Sequence, residues 1–171
     1  RVCGRKLRLA GRRMDCVHPV LAAPLSSREA LAYSCNFYFA NLAQAIDPDR
    51  LADTLRKFGF VLSKTPETLE ERQLVGLGEF GVTTSPLDLA RAYARLAPEP
   101  GLREAVQVGT AQRAAVDGLD VAGKTGTTRG YAWFAGYASG VVVVVLTADG
   151  TGGNSAAPEA AKILKQWFAR H

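Results

Sequence analysis

The chain is poor in sulfur, in aromatics and in long apolar runs. Of its 171 residues, three are cysteine, one is methionine, two are histidine and 8% are aromatic. The odd cysteine count (Cys3, Cys16 and Cys35) argues against a disulfide framework, although Cys3 and Cys16 could pair if the chain folds back at Ala10-Gly11. Cys3, Cys16 and His18 offer three ligand atoms at a spacing that matches no zinc pattern, so neither a metal nor another cofactor is expected. The longest apolar run, 141–146, is far too short to span a bilayer, and no signal-peptide pattern is visible. There is no internal repeat and no low-complexity tract.

What is present describes a globular domain. Apolar residues make up 47% of the chain and charged residues 22%, which excludes a disordered or collagen-like chain. The net charge is +5. Such a balance is compatible with nucleic acid, an anionic membrane or an acidic polymer, and selects none of them. Arg1, Arg5, Lys6, Arg8, Arg12 and Arg13 crowd the first thirteen positions. A solvated loop or short hairpin accounts for them, and no nucleic-acid partner is expected.

The apolar spacing predicts a helix over 26–46, opened by a Ser26–Glu29 capping box. A second helix is predicted after Pro48, with Leu51, Leu55 and Phe58 on one face and Gly59 as its stop. Residues 61–84 are poor in pattern and punctuated by Pro66 and glycines, so they read as a long loop. Ser85 caps a helix over 85–97 with Pro86 at its first position. A turn at "PEPG" follows. Residues 102–116 have helical spacing with Gly109 inside. After Asp117-Gly118 the period changes: "VAGKTGT", "YAWFAGYA" and "VVVVVLTA" read as three antiparallel strands joined at "TRG" and "SG". The valine run suggests a strand buried on both faces. The tail is a helix with Ala157, Ala161, Leu164 and Phe168 in one stripe. Helices, then an antiparallel sheet, then a closing helix make an α+β arrangement.

Two short stretches carry chemistry. In Lys124-Thr125-Gly126-Thr127 an ammonium stands beside glycine-flanked backbone and two hydroxyls, which suits a carboxylate or an oxyanion. Alone, such a triplet reads better as an ordinary glycine-rich turn with an exposed lysine, since three residues recur by chance. Ser34-Cys35-Asn36, inside or at the end of the first helix, places two polar side chains in an apolar run, where they must be hydrogen-bonded if buried.

Together these stretches resemble two of the three signature elements of penicillin-binding proteins and serine β-lactamases, the Ser-x-Asn and Lys-Thr-Gly elements, in the family order. Their surroundings are similar to the transpeptidase domain of a penicillin-binding protein: "EALAYSCNFYFANLA", "SPLDLARAYARLA", "GTAQRA", "AWFAGYA" and "AAPEAAKIL". The resemblance covers nearly the whole chain. It is nearer to the large membrane-anchored synthases than to the β-lactamases, whose Ser-x-Asn element usually has Asp where Cys35 stands here. It implies that Ser34 relays protons, that Asn36 hydrogen-bonds the acyl side of a donor peptide, and that Lys124, Thr125 and Thr127 hold the terminal carboxylate of a D-Ala-D-Ala stem peptide or of a β-lactam. The Thr127 amide would be half of an oxyanion hole, with Gly123 and Gly126 keeping the strand edge open.

The third element is absent, because no serine in the chain is followed three positions on by lysine. The family's nucleophile needs that lysine one helical turn away. The chain begins at Arg rather than Met. Residues 1–171 are therefore expected to be the C-terminal portion of a transpeptidase domain. The expected fold is penicillin-binding protein/serine β-lactamase-like and incomplete at its N-terminal side. The missing N-terminal portion would be a required partner for stability, in cis or in trans, and this chain alone would be inactive. The whole protein is expected to be a membrane-anchored peptidoglycan D,D-transpeptidase whose domain lies on the periplasmic or extracellular side. Its partners would be peptidoglycan stem peptides and β-lactam antibiotics. The other reading is a non-catalytic relative that binds peptidoglycan or a partner protein.

Overall fold

The computed structural model describes residues 2–21, 23–96, 99–128 and 130–171. The chain divides into two compact units, Arg1–Ala30 with Ser34–Thr84, and Leu31–Tyr33 with Ser85–His171. Arg1 of the basic cluster, Ala97 at the end of a predicted helix, Pro98 of the "PEPG" turn and Arg129 of the "TRG" link lie outside the described residues.

The first unit opens on a small hairpin. β1 (Arg8–Leu9) pairs antiparallel with β2 (Arg12–Arg13), Leu9 opposite Arg12. Ala10 and Gly11 both have positive φ, 47° and 71°. That is the two-residue loop whose twist matches its flanking strands, so the fold-back read at Ala10-Gly11 is present. Leu7, Leu9 and Met14 are buried with Ala40 and Leu74, while Arg8, Arg12 and Arg13 stay exposed.

The predicted helix over 26–46 is broken in two: α1 (Ser27–Ala32) and α2 (Asn36–Ala43). Its start is as expected, with Ser26 Oγ accepting from the Glu29 amide and Glu29 Oε2 accepting from the Ser26 amide. The break comes from Ser34, whose φ is +55°. With Ser34 left-handed, the Cys35 amide reaches back to the Ala30 carbonyl at 2.9 Å, the six-to-one closure of a Schellman helix end. α3 (Pro48–Lys57) is capped by Asp47 and stops before Gly59, whose φ is +87°.

Residues 61–84 are not the loop their pattern predicts. They hold α4 (Leu69–Gly76), bracketed by the antiparallel pair β3 (Val61–Leu62) and β4 (Val82–Thr83). α4 starts on a full Thr68–Glu71 capping box. Its Gly76 packs so close to α2 that a Cβ there would lie 2.5 Å from that of Ala43.

The second unit is built on a three-stranded antiparallel sheet in the order β5 (Ala122–Thr128), β6 (Tyr131–Ala138), β7 (Val141–Ala148). The helices α5 (Pro86–Arg95) and α6 (Pro100–Gln107) precede it, and α7 (Ala157–Phe168) closes it. A 3-10 turn covers Gln112–Ala114 and a π-helical turn covers Gly152–Ala156. The predicted helix over 102–116 ends early, at Gln107. The chain must turn there because Gly109 lies against the Ala32 carbonyl, which accepts from the Thr110 amide at 3.2 Å.

The core of this unit gathers Phe134 and Ala132 of β6, Val143 and Val145 of β7, and Ala160 and Leu164 of α7. The valine run is fully buried on one face only, because Val142 and Val144 are half-buried. The architecture is α+β, helices with antiparallel strands, as expected. Leu164 is fully enclosed. Leu164→Ala is expected to cost ~2–5 kcal/mol, which chemical denaturation of the protein carrying this chain would measure.

Candidate functional site

The chemistry-bearing residues of the second unit lie on β5. Side chains alternate across a strand, so Lys124 and Gly126 share one face while Gly123, Thr125 and Thr127 share the other. Gly123 sits opposite Gly136 of β6, and Thr125 opposite Phe134. A Cβ on Gly123 would run into the Phe134 ring and come within 2.7 Å of the Ala135 carbonyl oxygen. Gly123 is therefore required by packing. Gly126 differs. Among the described residues, a Cβ there would meet only the Trp133 Cβ, at 3.5 Å.

The threonines are held from the inner face. Thr125 Oγ1 hydrogen-bonds Thr110 Oγ1 at 2.8 Å, and Thr127 Oγ1 accepts from the Gly152 amide at 3.0 Å. Gly152 fits there because it has no side chain: a Cβ would lie 2.6 Å from the Gly126 carbonyl oxygen and 2.7 Å from that of Trp133. A hydroxyl that accepts one bond still has a proton to donate, and Thr127 is exposed. Thr125 also lies on β5, half-buried.

Lys124 Nζ donates to the Thr125 carbonyl at 2.8 Å. Burial pulls its ammonium down to about 8, because a charged form loses hydration inside protein. Among the described residues β5 pairs with β6 alone, and α6 and the π-helical turn also pack against it. The strand thus offers a desolvated cation and a glycine with room beside it on one face, and an exposed hydroxyl on the other.

Ser34 and Asn36 belong to the first unit, at the break between α1 and α2. Asn36 Nδ2 donates to the Met14 carbonyl at 3.2 Å, which ties α2 to the hairpin. Ser34 holds a left-handed backbone that a non-glycine residue keeps only when its surroundings fix it. Both side chains are half-buried.

The sequence reading missed a third feature. Cys3, Cys16, His18 and Cys35 place one ligand atom each within 4.8 Å of one another. The expectation of no metal counted three of these residues. Cys35, seventeen positions beyond His18, is the fourth, and the fold brings it there. All three cysteines are free thiols. Burial pushes the Cys35 thiol up to about 12 and raises Cys16 as well.

The profile of the penicillin binding protein transpeptidase domain matches residues 14–100 and 99–167. The chain belongs to that family. The matched residues include Ser34, Asn36 and Lys124–Thr127. Penicillin-binding protein 1A/1B of Bacillus subtilis (strain 168) is 28% identical in an alignment covering 86% of this chain and 22% of that protein. The chain thus spans about a fifth of this curated relative's length. Among solved structures, the transpeptidase domain of the FtsI4 D,D-transpeptidase from Legionella pneumophila superposes with a TM-score of 0.72 at 23% identity, over 84% of this chain and 69% of that one. Penicillin-binding protein 3 of Mycobacterium tuberculosis, solved with aztreonam, gives a TM-score of 0.75 at 21% identity, over 97% of this chain and 56% of that one. These likenesses establish the transpeptidase-domain fold.

The two glycines of β5 separate packing from ligand space. Gly123→Ala is expected to lose ~1–3 kcal/mol by overpacking, whereas Gly126→Ala should stay within ~0.5 kcal/mol of the parent. Denaturation midpoints of the two variants decide it. Equal losses would remove the distinction.

Proposed function

We propose that this chain is the C-terminal portion of the transpeptidase domain of a serine-type peptidoglycan D,D-transpeptidase. It supplies the wall of the site that holds the substrate. Lys124, with Thr125 and Thr127, binds the terminal carboxylate of a D-Ala-D-Ala stem peptide, and β-lactams use the same contacts. Gly126 leaves backbone room for the ligand, and the Thr127 amide serves the oxyanion. Ser34 relays a proton and Asn36 holds the acyl side chain. The serine that is acylated and its lysine lie outside these 171 residues, in the same membrane-anchored protein, with the domain on the outer side of the membrane. The observation that carries the reading is the half-buried, desolvated Lys124 ammonium on the glycine-flanked strand of a transpeptidase-family domain.

A second reading, a non-catalytic relative that binds peptidoglycan, is favoured by one fact: no Ser-x-x-Lys occurs in the chain. Exposing cells to a fluorescent penicillin and capturing the native protein through this chain separates the two. A labelled species much heavier than 18.3 kDa supports the enzyme. An unlabelled one supports the relative.

In the labelled protein, Lys124→Ala is expected to slow acylation on the order of ten-fold or more, given the strength of charge-assisted pairs. The pH profile follows from the same group. Below about 8 Lys124 carries its charge, so the second-order acylation rate should fall as pH rises through that value. Such profiles report the groups of the free enzyme. An acylation rate that Lys124→Ala leaves unchanged removes Lys124 from the site.

A further inference from the structure

Three separate stretches of the first unit converge on one point. Cys3 comes from the N-terminal segment, Cys16 and His18 from the segment that follows the hairpin, and Cys35 from the N-cap of α2. Cys35 Sγ lies 3.4 Å from Cys3 Sγ and 3.6 Å from Cys16 Sγ. A disulfide would need about 2.05 Å. A tetrahedral zinc with bonds of about 2.3 Å separates its sulfurs by about 3.8 Å, close to what is seen.

The groups around the sulfurs fit the same geometry. The Arg5 amide donates to Cys3 Sγ at 3.3 Å, and the Phe37 amide to Cys16 Sγ at 3.4 Å. Backbone N–H groups aimed at sulfur stabilise thiolate. Arg5 adopts a positive φ of 61° to make its contact, in a tight turn closed by the Lys6 amide on the Gly4 carbonyl. His18 Nδ1 lies 2.8 Å from the Pro19 carbonyl. A proton on Nδ1 makes that bond and leaves the lone pair on Nε2, the arrangement by which a second-shell carbonyl orients a metal-bound histidine. Cys3 and Cys35 also line a cavity of about 270 Å³, which gives an entry path. An odd number of thiols cannot all pair as disulfides, whereas this centre uses all three.

We propose that Cys3, Cys16, His18 and Cys35 form a structural zinc site of the three-cysteine, one-histidine type. Zinc binding forms three Zn–S bonds and one Zn–N bond, and the three thiol protons leave to solvent. With four protein ligands the site is closed, so its role is to hold structure rather than to activate water. It staples the N-terminal segment and the hairpin to Cys35, the residue between Ser34 and Asn36. The proposal does not depend on the acyl-transfer reading, because its readouts are metal and thiols.

The test uses the intact gene product that carries this chain, purified without chelator. Elemental analysis is expected to find about one zinc per chain, bound as tightly as structural sites are. The three thiols should resist a thiol reagent until a chelator is added. Replacing zinc with cobalt should produce thiolate-to-metal charge transfer and strong tetrahedral absorption. Cys35→Ser should lower the zinc content on the order of ten-fold or more. His18→Cys should retain it as a four-cysteine site, which guards against a variant that merely misfolds. Wild-type protein that takes up no zinc when supplied with it, or that carries a disulfide among these cysteines, overturns the proposal. So does zinc that survives Cys35→Ser.

Discussion

The second unit is organised by the place where β5 and β6 come together beneath the Phe134 ring. Gly123 and Gly136 face each other across the pair, and the ring occupies the space their side chains would need. A Cβ on Gly136 would lie 2.8 Å from the ring tip and 2.5 Å from the Ala122 carbonyl oxygen. This contact fixes the register of β5. Because side chains alternate, a one-residue slip would turn Lys124 into the apolar core and Thr125 out of it. The site's chemistry is therefore set by a packing constraint one residue before it.

The same sheet explains how a lysine comes to be desolvated. Lys124 costs stability where it sits, since its folded-state value of about 8 lies below its ordinary 10.5. Between those values the unfolded chain binds more protons than the folded one, so stability rises with pH there. Below about 8 the cost is present in full. A carboxylate placed beside this desolvated cation would offset part of that cost.

What was legible in the sequence follows from how local each signal is. The three strands, the Ser26–Glu29 capping box and the fold-back at Ala10-Gly11 depend on residues within a few positions of one another, and they stand where the pattern placed them. The break at Ser34 was invisible, because the apolar spacing runs through it and only a left-handed backbone reveals it. Residues 61–84 hid α4 because its apolar positions are few, although Thr68 and Glu71 had the spacing of a capping box. Gly123 and Gly126 look alike in a string and differ only in what lies over them. Cys35 was the hardest to read. Its partners are nineteen and thirty-two positions away, and no short Cys-x-x-Cys spacing marks them.

Cys35 also shows how one short element serves two purposes. The left-handed turn at Ser34 changes the direction of the chain, so neighbouring side chains of Ser34-Cys35-Asn36 leave it in different directions. Cys35 is fully buried among sulfurs while Ser34 and Asn36 are half-buried. A left-handed serine is unfavourable on its own and persists only if something holds both sides of it. On one side the Ala30 carbonyl takes the Cys35 amide. On the other, Asn36 reaches the hairpin through Met14. The thiol cluster anchors the residue between them, so the position of the Ser-x-Asn element depends on sulfur contacts that lie outside the element itself.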